Sequence, residues 1–203
     1  MTVTISRLYE NFSAAERAVR DLEAGGLSHS DISIVANNSD GWYPDKSKMH
    51  RVDTVAVDDR PSNAVAGAGV GATIVGAAGL LAGLGLLAIP GVGPVVAAGW
   101  LAATATGAAI GGATGGLIGS LIKSGVSNED ANVYAEGIRR GGTLVSARVL
   151  DADQTRYEAI LDRSAINTVE RGASYRTTGW SGFDESAGPY LASSSTHDLR
   201  APH

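Results

Sequence analysis

The sequence has no cysteine, which removes disulfides, thiolate catalysis and cysteine zinc sites, and fits a reducing compartment. Bulky ring side chains are scarce as well: aromatics make up 5% of the chain while glycine reaches 27 of 203 residues. The 44% of hydrophobic residues is therefore weighted toward alanine, valine and leucine. A surplus of positive charge is missing, since the formal net charge is -5. Sequence-independent nucleic-acid binding needs a basic surface that displaces counterions, so DNA and RNA are not expected partners. The four histidines, His29, His50, His197 and His203, are dispersed and read as solvated surface groups. Asp58-Asp59 reads as loop solvation and Glu129-Asp130 as charge complementing a helix N-terminus. With no positioned acid, base, nucleophile or metal-ligand set, neither an enzyme nor a cofactor is expected. The opening MTVTISRLYE has no basic stretch leading into an apolar run, so no cleavable signal peptide is expected.

Charge is also missing locally. From Ser62 to Ile122 there is no charged side chain, and Ile89-Pro90-Gly91-Val92-Gly93-Pro94 divides this stretch with turn-forming residues. The two arms, 64–89 and 95–122, are each about 40 Å long if helical, against about 30 Å of bilayer hydrocarbon. Glycine recurs at every fourth position in the second arm: Gly107, Gly111, Gly115 and Gly119, with Gly99 extending the stripe. The first arm carries Gly67, Gly71, Gly79 and Gly83. Residues four apart share a helix face, and such small surfaces let helix backbones approach closely.

Two other readings of the glycines are weaker. Gly67-Ala-Gly69-Val-Gly-Ala72 meets the loose dinucleotide pattern, but the acidic residue expected about 20 positions later is absent. A flexible linker would carry polar residues between its glycines, whereas these sit among Leu80, Leu84, Leu87, Ile110 and Leu117. The packing reading leads to a membrane-inserted glycine-zipper hairpin with Pro90, Gly91, Gly93 and Pro94 as its turn. Arg60 and Lys123 flank it at the soluble ends, which puts both termini in the cytoplasm. The alternative is a cytoplasmic soluble protein whose hairpin is buried in an oligomer core. Trp100 suits either a membrane interface or hairpin packing.

What surrounds this insertion is ordinary. TVTISRLY (2–9) alternates as a strand does, and Ser13-Ala-Ala-Glu16 has capping-box spacing for a helix that buries Ala15, Ala18, Val19 and Leu22 and stops at Gly25-Gly26. Residues 31–36 read as a second strand and 52–57 as a third. Ser127-Asn-Glu-Asp130 opens another helix, with Ala131, Tyr134, Ala135 and Ile138 inward and Arg139-Arg140 as helix-end charge. Strand 143–150, a helix capped from Asp151-Ala-Asp-Gln154, and a short strand at 167–171 complete the reading.

This order of segments resembles the bacterial general stress protein family, described as heat-induced or low-temperature-induced proteins. TVTISRLY, FSAAERAVRDLEAGGL, DISIVANN, the glycine-rich insertion and SNEDANVYAEGIRRGGTLVSARV carry the resemblance over about residues 2–150. It implies stress-linked expression and an α+β domain of ferredoxin-like type interrupted by a glycine-zipper helical hairpin, and it brings no catalytic residues. The expected organisation is residues 1–61 and 124–172 as two halves of one α+β domain, 62–123 as the apolar hairpin, and 173–203 as a polar, disordered tail. The expected function is a non-enzymatic, stress-related, membrane-associated homo-oligomer in contact with the lipid bilayer, without nucleic acid. The alternative is a soluble oligomeric regulatory or ligand-binding module, its small-molecule ligand unknown.

Overall fold

The structure, a computed structural model, describes residues 1–43, 84–89, 91–104 and 116–187. Strand β1 (Thr2–Tyr9) leads into helix α1 (Phe12–Ala24) and strand β2 (Ile32–Asn37). Strands β3 (Gly85–Ile89) and β4 (Gly93–Ala98) follow, then a helical stretch at 100–104. Helices α2 (Leu117–Lys123) and α3 (Asn128–Arg139) precede strand β5 (Thr143–Leu150), and α4 (Gln154–Leu161) and α5 (Thr168–Thr177) close the described part. The five strands form one antiparallel sheet in the order β1-β5-β2-β4-β3. The fold is α+β.

Period-two alternation decides which helix each strand face meets. Ile5, Tyr9, Ile32, Ile34, Val145, Ala147 and Val149 face α1 and α4, where Ala15, Ala18, Val19, Leu22, Tyr157 and Leu161 cover them. Leu8, Val35, Val95, Ala97 and Leu144 face the other way, onto Leu117 and Leu121 of α2 and Ala131, Tyr134, Ala135 and Ile138 of α3. Each fully buried valine or leucine contributes about 1.5–3 kcal/mol, so both faces are well supplied despite the shortage of aromatics. The second face also carries polar residues: Ser6 and Ser146 pair across β1 and β5 at 2.8 Å, and the Ser33 hydroxyl donates to the Ala98 carbonyl. Their hydrogen bonds offset the cost of burying them.

The helix starts are chemically ordinary. Ser127 caps α3 by accepting from the Asp130 amide at 3.0 Å, as its spacing leads one to expect. For α1 the cap is Asn11, which accepts from the Ala14 amide; the helix begins two residues ahead of the start that the capping-box spacing at Ser13 predicts. Residues 167–171, read as a strand, instead open α5: Asn167 accepts from the amides of Val169 and Glu170 and caps the helix.

The larger correction concerns the apolar insertion. Its described central part, residues 85–89 and 91–98, is a β-hairpin rather than the end of one helix and the start of another. β4 is held on both sides, by β3 and by β2 with Val35 opposite Ala97. Gly91 and Gly93 turn the chain with φ of 73° and 97°. A hairpin needs such left-handed positions in its connection, and Val95-Val96 are β-branched residues that suit a pleated, buried strand.

Among the described residues no helix is long and apolar enough to cross a membrane. Helix α2, within the second expected arm, has 7 residues, about 10 Å of rise against about 30 Å of hydrocarbon. This overturns the expected transmembrane helices and, with them, the membrane localisation with cytoplasmic termini. The arms' remaining residues, 64–83 and 105–115, lie outside the described residues, as does the expected strand at 52–57.

The expected tail from position 173 takes in residues that belong to the fold. Position 173 falls inside α5, and the chain is placed through Ala187, with Phe183 packed against the second core and its amide donating to Asn132. Residues 188–203 lie outside the described part.

Candidate functional site

Among the described residues, the positions singled out from sequence do not gather into one place. Gly67, Gly71, Gly79, Gly83, Gly107, Gly111, Gly115, Arg60 and Pro90 lie outside the described residues. Gly119 is half-buried in α2, and Lys123 ends that helix exposed. Gly99 is a packing glycine, but in a bend rather than on a helix stripe: with φ of 88° it crosses β2, where any Cβ would run into the Ile32 carbonyl and Ser33. Gly91 similarly lets the hairpin turn lie against residues 183–185, its Cβ position being 2.7 Å from the Asp184 carbonyl. Trp100 packs within the second core beside the Arg148 guanidinium, 5.1 Å from the ring centroid.

Two features remain as places where the molecule could meet something else. The first is the sheet edge at β3. Gly85-Leu-Leu-Ala-Ile89 carries no charge, and among the described residues β3 pairs only with β4. Leu87 and Ile89 turn toward the second core, while Leu86 and Ala88 are exposed. An edge strand presents unpaired amides and carbonyls that another strand can complete, and proteins usually guard such edges with charge or proline. Here the strand has neither.

The second is a polar pocket of about 290 Å³ at the opposite side of the sheet. Its floor is the close approach of α3 to β1 and β5. A Cβ at Gly137 would collide with the Leu8 side chain, and one at Gly142 would lie 2.8 Å from the Gly137 carbonyl. The Ile166 amide donates to the Leu8 carbonyl at 2.7 Å, bringing α5 over this floor. Arg171, Ser174, Tyr175 and Thr178 of α5 then form one wall, facing Glu10 and Arg140.

Charge in this pocket is arranged around a buried glutamate. Glu136 is fully buried, and Arg139 donates to both its carboxylate oxygens at 2.9 and 3.0 Å while Arg140 donates to Oε1 at 2.6 Å. A buried carboxylate persists only when it is paired in this way. The Arg140 guanidinium also lies 4.4 Å from the Tyr175 ring centroid, a cation–π distance. Burial raises the Tyr175 phenol above its ordinary range, opposed by the positive charges of Arg171 and Arg140. On the rim, Arg171 donates to the exposed carboxylate of Glu10.

Sequence reading missed this site. Arg139-Arg140 reads in sequence as helix-end charge, yet Glu136 at i−3 and i−4 is a spacing that pairs side chains on a helix. Arg171 to Tyr175 is a further four-residue step, hidden by a segment whose sequence suggests a strand and then a tail.

Among the described residues no group of three His, Asp or Glu side chains could hold a metal ion. No protein-family model, curated protein or solved structure matches this chain.

Proposed function

We propose that this chain is a non-enzymatic, self-associating module of regulatory or ligand-binding type, in which the apolar β3–β4 hairpin is buried between copies. The observation that carries this reading is the uncharged edge strand β3 with Leu86 exposed on it. A second copy is the partner that fits best, because two identical antiparallel edges can pair about a two-fold axis and so cover both β3 edges at once. Neither strand would bring a charge that the other must neutralise. The recurring glycines Gly107, Gly111, Gly115 and Gly119, small enough for close backbone approach, support a second contact between copies.

The resemblance to bacterial general stress proteins supports stress-linked expression. Of the ferredoxin-like reading, the split βαβ unit is the supported part: β1 and β2, joined through α1, lie on either side of an antiparallel strand. That central strand is β5, which comes last in the sheet's chain order, and β4–β3 extends the sheet beyond β2.

Light scattering coupled to size-exclusion chromatography tests the assembly. The full chain is expected to elute as a dimer or larger species, and Leu86→Lys is expected to shift it to the monomer with its circular dichroism unchanged. A wild-type chain that is monomeric at every accessible concentration would contradict the reading.

A further inference from the structure

We propose that the pocket between the end of α3 and α5 binds a small organic anion, carrying a carboxylate or a phosphate monoester, with Arg171 as the principal contact. This names a ligand class for the binding half of the proposed function and does not depend on self-association, which involves the other side of the sheet. Arg171 and Arg140 line the pocket against a single lining carboxylate, Glu10. Glu136 behind them is shared between Arg139 and Arg140, so these five side chains together carry one net positive charge. The lining is therefore positive in a chain whose net charge is -5.

Geometry selects the ligand further. An arginine fork has five N–H donors arranged to meet a carboxylate or phosphate in two places, and Glu10 engages Arg171 through Nη2. The Glu10 side chain is 65% exposed, so it can move into water at small cost and leave the fork to an incoming anion. Its carboxylate already marks the place where such a group would bind. Arg140 is fixed by Glu136 and by the Tyr175 ring and supplies charge without having to be ordered on binding, which saves conformational entropy. Ser174 lies in the same wall, while the half-buried Ile166 offers a short apolar surface to a carbon skeleton. A volume of about 290 Å³ lies at the small end of ligand pockets, which favours a small metabolite over a nucleotide.

The full chain is titrated with inorganic phosphate and, separately, with succinate, at ionic strength held constant with sodium chloride, and amide chemical shifts are followed by NMR. Saturable shifts confined to residues such as Gly142, Arg171 and Ser174 are expected. Arg171→Gln should weaken binding about tenfold or more, the scale of a lost charge-assisted hydrogen bond. Glu10→Gln should tighten it, since it removes both a competitor and a repulsive charge; a merely structural ion pair would not give this gain. Arg156→Gln, on the far side of the molecule, should change nothing. Tighter binding of phosphate assigns a phosphorylated ligand, and tighter binding of succinate a carboxylic acid. Shifts that never saturate with either probe, or that persist unchanged in Arg171→Gln, overturn the proposal. If Arg171→Gln fails to fold, weaker binding by Glu10→Gln overturns it equally.

Discussion

At Gly99 the chain leaves β4 with φ of 88° and passes directly over the backbone of β2. A side chain there meets two penalties at once, a left-handed backbone that L residues rarely adopt and a collision with a carbonyl that cannot rotate away. Gly99→Ala should cost about 2 kcal/mol or more, read as a lower urea midpoint with an unchanged slope. Glu136 presents the converse situation, a charge whose place in the core depends on its two arginines. Glu136→Ala leaves both guanidinium groups without their carboxylate and should cost about 3 kcal/mol, again read by urea denaturation.

The elements show where sequence patterns suffice and where they fail. Strands β1, β2 and β5 and helices α1, α3 and α4 were all legible, because their alternating or helical apolar spacing has one reading and Ser127 and the Gly25-Gly26 stop mark their ends. The hairpin at 85–89 and 91–98 was not. Its residues are apolar on both faces or nearly so, which erases the period that separates a strand from a buried helix, and the four-residue glycine spacings on either side of it, Gly67 to Gly83 and Gly99 to Gly119, favour the helical reading. The pocket was legible only in fragments, since Leu8, Gly142 and Ile166 meet through tertiary folding alone. Gly111→Leu together with Gly115→Leu tests the glycine stripe: reduced assembly by light scattering is expected, and an unaltered oligomer would show that these positions are not contacts.

At the scale of the whole molecule, alkaline pH reaches the core through its tyrosines. Burial pushes the Tyr134 phenol up to about 12 and raises Tyr9 even further above its ordinary range. Tyr134 donates to the Ser6 carbonyl and Tyr9 to the Leu161 carbonyl, bonds that require the proton. A phenol that holds its proton longer in the folded state contributes stability that is complete below its unfolded value near 10 and is lost as pH rises past it. Unfolding free energy should therefore be level up to about pH 9.5 and fall between about 10 and 12, by on the order of 2 kcal/mol for Tyr134 alone. Urea titrations across that range check it, and Tyr134→Phe should flatten the decline while lowering stability at neutral pH through the lost hydrogen bond.

Assembly through the β3 edge is the central claim, and the absence of cysteine makes its geometry directly measurable. A spin label on Leu86→Cys reports on a unique position in each copy, and paired electron–electron resonance gives the distance between copies. Antiparallel pairing of two β3 strands places equivalent positions close together, so a narrow distance distribution below about 25 Å is predicted once label length is added to the strand spacing. Absence of dipolar modulation, or a distance far beyond that range in an intact oligomer, would contradict pairing at β3.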